Sequence, residues 1–261
     1  MNLRIATSAF NGILVREFLR FVQQRSRFLS ALVRPLLWLL VFAAGFRAAL
    51  GIAIIEPYET YITYEVYIAP GLCCMILLFN GMQGSLAMVY DREMGSMKVL
   101  LVSPLPRPFL LVAKMTATSL ISLVQVYAFL IIALAVDVTP PLLGYLTVLP
   151  ALFLVALLLS AIGLFLSTQI KQLENFAGVM NFVIFPMFFL SSALYPLWKM
   201  QESSELLYWI CLFNPFTHAV ELVRHALYAS LNLEALGWTL VALAVALSAG
   251  ILSFKPSRAA G

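Results

Sequence analysis

From Leu142 to Ser167 the chain runs without a charged residue, and its other long apolar runs carry two at most. A helix of about 20 apolar residues matches the ~30 Å hydrocarbon core of a bilayer, and within lipid only a helix or a closed barrel satisfies its own backbone. Runs of this length and composition read as helices. Six spans follow, at about residues 31–50, 66–89, 109–136, 142–167, 176–197 and 236–254. The expected fold is an all-α membrane protein with residues 1–261 as one transmembrane domain. Composition agrees, with 62% hydrophobic and 11% charged residues, against about 25% charged in soluble domains.

Six crossings leave both ends on one side. Thirteen of the sixteen Lys and Arg residues then share that side, and eight of the twelve acids fall on the other. An excess of Lys and Arg marks the cytoplasmic side. Both termini and the connection Asp91–Lys114 are therefore expected in the cytoplasm, and Lys199–Leu233 outside. The net charge of +4 is accounted for by this asymmetry and does not point to nucleic acid. Residues 1–30 hold five arginines and no apolar core of signal type, so a cleavable signal peptide is not expected.

The pieces between the spans differ in character. Residues 8–28 read as an amphipathic helix, with Phe10, Leu14, Phe18 and Phe21 on one face and Arg16, Arg20, Gln23 and Arg27 on the other. Such a helix lies in the membrane interface or packs on a soluble partner. Tyr58, Tyr61, Tyr64 and Tyr67 suit a membrane–water boundary. Asp137-Val-Thr-Pro-Pro makes a tight turn, while Pro186 and Ser191-Ser192 interrupt the fifth run. Lys199–Leu233 contains two short helical pieces, about Ser203–Leu212 and Pro215–Ala229. Each is too short to cross a bilayer.

Catalytic signatures are missing. The sequence contains no G-x-x-x-x-G-K-[ST], no G-x-S-x-G and no H-E-x-x-H, so ATP hydrolysis and hydrolase chemistry are not expected in this chain. Cys73, Cys74 and Cys211 have neither disulfide nor metal spacing. His218, Glu221 and His225 share one helix face, but no further ligand completes a metal set; a polar helix at the outer mouth, with Glu221 and Arg224 available to pair, accounts for them. Ion-driven carriers hold charge near the bilayer middle. Here the mid-span polar groups are mainly the amides Asn80, Gln83, Gln125 and Asn181. They either bond helix to helix or line a translocation path.

The most polar stretch between two spans is Tyr90–Met115. Asp91-Arg92-Glu93 can open a new helix with acids at its favoured end. Met97, Leu100 and Leu101 then form an apolar face able to seat in a groove, and Ser103-Pro-Leu-Pro-Arg-Pro108 stiffens the return. A short helix tethered between two spans acts as a lever.

The order of these features resembles the permease subunits of type-2 ABC exporters, such as those for nodulation factors, drugs or polysaccharides. The resemblance rests on E-x-G-S-x-x-x-L-L-x-S-P at Glu93–Pro104 and N-P-F-T-H at Asn214–His218. The Tyr90–Arg107 stretch is also similar to permeases encoded beside bacterial alcohol-oxidation genes. The resemblance implies a coupling helix carrying Glu93, Gly95, Ser96, Leu100, Leu101, Ser103 and Pro104, which seats in a separate ATPase. It implies an interface helix carrying Arg16, Arg20 and Arg27, and short outer re-entrant helices carrying Asn214, Pro215, His218, Glu221 and Arg224. It further implies a homodimer or pairing with a second permease, in contact with membrane lipid, in a bacterial inner membrane. ATP and magnesium would be bound by the partner ATPase, with no cofactor on this chain. An anchor subunit for a redox, alcohol-oxidising complex is the alternative; it would bind haem or quinone.

Overall fold

The computed structural model describes residues 3–23, 25–46, 56–58, 62–95, 106–170 and 172–254. Among them the regular structure is helical: α1 (Leu3–Gln23), α2 (Arg25–Phe46), α3 (Tyr64–Glu93), α4 (Arg107–Ala133, continued as a 3-10 turn Leu134–Val136), α5 (Leu142–Gln169), α6 (Leu173–Phe189), α7 (Leu197–Ser203), α8 (Glu205–Phe213), α9 (Pro215–Leu227) and α10 (Leu233–Ser253).

α3 is the axis of the bundle. It packs against α2, α4, α5, α6 and α9, and most of its residues are buried. A helix apolar on every side is stable only when surrounded. Its approach to α5 depends on small residues. A Cβ added at Gly81 would lie 2.9 Å from the Leu159 backbone carbon, and one added at Gly163 would lie 2.5 Å from Ser85 Oγ. Dispersion contacts between closely apposed backbones hold such crossings together in lipid.

Four helical stretches are long and apolar enough to cross a membrane: Tyr64–Glu93, Pro108–Val136, Leu142–Gln169 and Leu233–Ser253. α8 and α9, bent by 73° at Asn214, count as a fifth only if taken as one broken span. Of the six spans read from the sequence, four have such a counterpart among the described residues. The first is represented by the apolar part Ala31–Val41, and the fifth by Leu173–Phe189; residues 47–50 lie outside the described set. The expected interface helix is also redrawn. α1 ends at Gln23, and residues 25–28 belong to α2.

The fifth run breaks where its sequence permits. α6 stops at Phe189, three residues past Pro186, and the chain turns through Ser191-Ser192. The carbonyls left without helical partners are taken up by side chains from elsewhere. Asn214 Nδ2 donates to Met187 O at 2.8 Å and Leu190 O at 2.6 Å. Tyr67 Oη donates to Ser192 O and Tyr64 Oη to Leu194 O, each at 3.0 Å. Away from water, each such group must find a partner within the protein.

Candidate functional site

Three clusters of the expected site residues can be followed, from one end of α3 to the other. At its Glu93 end, Asp91-Arg92-Glu93 close α3 and do not open a new helix. The reason is a set of partners that rewards continuation. Lys114 Nζ donates to Asp91 Oδ2 at 2.8 Å, with both residues buried. Arg92 Nη2 donates to Ile170 O at 2.6 Å, and Glu93 Oε2 accepts from the Leu173 amide at 3.3 Å. Lys114, a lone cation inside an apolar run, is thus held between α3 and α4. Gly95 turns the chain with φ +75°, a region that favours glycine. Ser96, Leu100, Leu101, Ser103 and Pro104 lie outside the described residues.

α1 leans on α4 through Ile13 and Phe10, which pack with Leu110, Ala113 and Ala117. Phe18, expected on the apolar face, is half exposed at 49%. Arg16 is exposed and pairs with Glu17 at 2.9 Å. Arg20, expected on the free polar face, turns inward and reaches two cavities. The Arg27 side chain lies outside the described set.

Of the four amides, the structure joins two. Asn80 Nδ2 donates to Gln125 Oε1, with both side chains buried. Asn80 also forms part of a polar crevice with Gln125, Lys114, Glu17 and Arg20. Gln83 lies on the same face of α3 and lines two neighbouring cavities. Asn181 stands apart, exposed on α6. The two roles weighed for these amides therefore coexist at Asn80: it ties α3 to α4 and fronts a crevice. Asn80→Leu is expected to destabilise the protein by about 1–3 kcal/mol, the cost of orphaning Gln125, whereas Asn80→Leu with Gln125→Leu should recover most of it. Thermal unfolding of the purified variants in a neutral detergent checks this.

At the other end, Asn214 caps α9. Its Oδ1 accepts from the Phe216 amide at 3.0 Å, and Pro215 occupies the first turn, an arrangement in which proline sacrifices no hydrogen bond. Arg224 makes the expected pairing with Glu221, but it is 2% exposed, more deeply buried than a polar helix at an outer mouth requires. Nη1 donates to Glu221, and Nη2 donates to Ser192 O at 2.9 Å. Its guanidinium carbon lies 4.1 Å from the centre of the Tyr67 ring. His218 stacks on Trp238 and lies 2.9 Å from Leu212 O, while His225 lies 2.9 Å from Glu221 O. Beside them, burial raises the pKa of the Tyr58 phenol well above its usual value and that of Tyr228 to about 12, so both rings stay neutral at physiological pH.

Two groupings of side chains escaped the sequence. One is the Asp91–Lys114 pair, signalled only by a lone Lys inside an apolar run. The other is the union of Tyr64, Tyr67, Ser192 and Arg224. The signal there was the three-residue repeat of tyrosines, which keeps them on one helix face and favours a common partner over a general interface.

Comparison with known proteins bears on what this arrangement serves. Residues 8–228 match the ABC-2 type transporter family. The chain is 26% identical over 212 residues to the "Putative transport permease ycf38" of Cyanophora paradoxa, covering 80% of this chain and 70% of that protein. The proteins of the same name from Porphyra purpurea and Pyropia yezoensis are 26% and 27% identical over 217 and 224 residues. Those matches cover 82% and 85% of this chain, and 72% and 74% of the relatives.

Proposed function

The chain belongs to the ABC-2 type transporter family as a multi-pass membrane permease, and on that premise we propose that it forms the translocation path of an ATP-driven exporter powered by a separate ATPase subunit. The chain has no P-loop to work with. Residues Glu93–Pro104 are the proposed docking element for that ATPase, on the cytoplasmic side with both termini. The interface helix α1, which packs on α4, is proposed to face the same ATPase, and a second permease copy or a paired permease completes the path. ATP and magnesium belong to the partner.

One observation carries this reading. Glu93 opens the proposed docking segment, and its carboxylate holds the first amide of α6. The segment is also continuous with α3 and leads into α4. A push on it is therefore delivered to three helices at once. α3 and α6 converge again at the far end, where Tyr64 and Tyr67 hold the backbone that follows α6. Mechanical input at one end thus has a packed route to the other, through helices that act as rigid bodies.

Leu100→Asp is expected to weaken ATPase capture by roughly thirtyfold, the loss of one buried apolar anchor, while the permease remains inserted. Glu93→Ala should leave capture intact but uncouple ATP hydrolysis from transport. Co-purification of an ATPase with the tagged chain, followed by hydrolysis and transport assays in vesicles, measures both. Normal transport in the two variants would rule out the coupling role.

A further inference from the structure

Between α1, α3 and α6, at the Glu93 end of the bundle, lies a largely apolar cavity of about 640 Å³. That is within the range of pockets that enclose small ligands, roughly 300–1,000 Å³. Leu86, Ala87, Ala177 and Met180 supply much of the wall, and the charged groups that reach it are Arg20 and Glu174. Among the described residues these two form no ion pair, with each other or with a third group. Glu17, the acid nearest in sequence to Arg20, is engaged by Arg16. The cavity therefore offers an apolar body with one positive charge, on the half-buried Arg20, and one negative charge, on the exposed Glu174.

We infer that this cavity takes a zwitterionic amphiphile from the adjoining leaflet, its anionic group on Arg20, its cationic group on Glu174 and its tail along α3 and α6. This names a substrate class for the path proposed above and rests on that reading. An anion alone would leave Glu174 repelling or unmatched, and a cation alone would do the same to Arg20. The position suits entry to a path. Arg20 and Ala87 also line the polar crevice that leads to Asn80 and Gln125, so a head group drawn off Arg20 meets polar partners next.

The test uses the full chain in micelles of a non-ionic maltoside detergent, with three photoactivatable single-tailed probes. These are a lysophosphatidylethanolamine, a lysophosphatidylglycerol and an alkyltrimethylammonium, and cross-links are mapped by peptide mass spectrometry. The zwitterionic probe should label residues 83–90 and 173–180 roughly tenfold more than either singly charged probe, about one charge-assisted contact's worth of discrimination. Arg20→Glu and Glu174→Arg should each abolish that preference, and the double inversion should restore it. Ala177→Trp, at an exposed position, should block labelling by filling the space. Equal labelling by all three probes, labelling that survives Ala177→Trp, or a double inversion that restores nothing would overturn the inference. No ATPase is present in this assay, so a negative result leaves the coupling proposal standing, and loss of ATPase capture leaves this one standing.

Discussion

Arg224→Met is expected to lower stability by about 3–5 kcal/mol, the scale for removing one partner of a buried ion pair. Three losses combine. Glu221, itself 21% exposed, is left without its cation. Ser192 O keeps Tyr67 but loses its second donor. The Tyr67 ring loses the guanidinium stacked on it. For a chain of this size the midpoint of thermal unfolding should fall by roughly 10 °C, read as the loss of monodisperse protein after heating in a neutral detergent. Arg224→Lys keeps the charge but not the planar fork that reaches Glu221 and Ser192 together, and should fall between wild type and Met. An unchanged midpoint in Arg224→Met would mean that apolar packing and the Asn214, Tyr64 and Tyr67 hydrogen bonds hold α9 and the broken end of α6 without Arg224.

The same variant has a consequence for transport. The backbone after Phe189 leaves the helix, and its carbonyls are held by α3 and by the α8–α9 region. Without Arg224, the grip of α9 on that turn is gone while those of Tyr67 and Asn214 remain. Motion delivered along α6 should then reach α9 less faithfully, so transport per ATP hydrolysed should drop even at temperatures where the variant stays folded.

The helices were legible wherever the apolar run was long and unbroken. α4, α5 and α10 fall within a few residues of the expected spans, because length and hydropathy alone decide them. α6 was legible as a broken run, but its stopping point was not. Pro186 removes one hydrogen bond without fixing where the helix ends, and the end is set by acceptors that find Asn214, Tyr64 and Tyr67, partners far away in sequence. Arg20 was misread for a related reason. Helical spacing gives the angle of a side chain about its own axis, whereas the neighbour on that side is set by how α1 lies on α4. Asp91-Arg92-Glu93 read as a helix start because acids favour that end. Lys114, Ile170 and Leu173 supply partners that let the same residues finish α3. Local rules were outweighed wherever a buried charge had a tertiary partner.

That last pair gives the second large effect. Lys114→Met is expected to cost about 3–5 kcal/mol, because Asp91 would remain buried at the end of α3 with its cation removed. A carboxylate there also opposes the partial negative charge of the helix C-terminus, so its need for Lys114 is greater than that of an acid at a helix start. Asp91→Leu together with Lys114→Met removes both charges of the buried pair at once. Replacing a buried pair in this way is often neutral or stabilising, so the double variant should return close to the wild-type unfolding midpoint. The two outcomes separate stability from function. If the pair serves only to hold α3 on α4, the double variant should also transport normally. If its role is to transmit force from the Glu93–Pro104 segment with a fixed register, the double variant should be as stable as wild type yet, under the proposed coupling, support less transport for each ATP hydrolysed by the partner ATPase. A non-directional apolar contact lets α3 and α4 slide past each other, whereas a 2.8 Å ion pair does not.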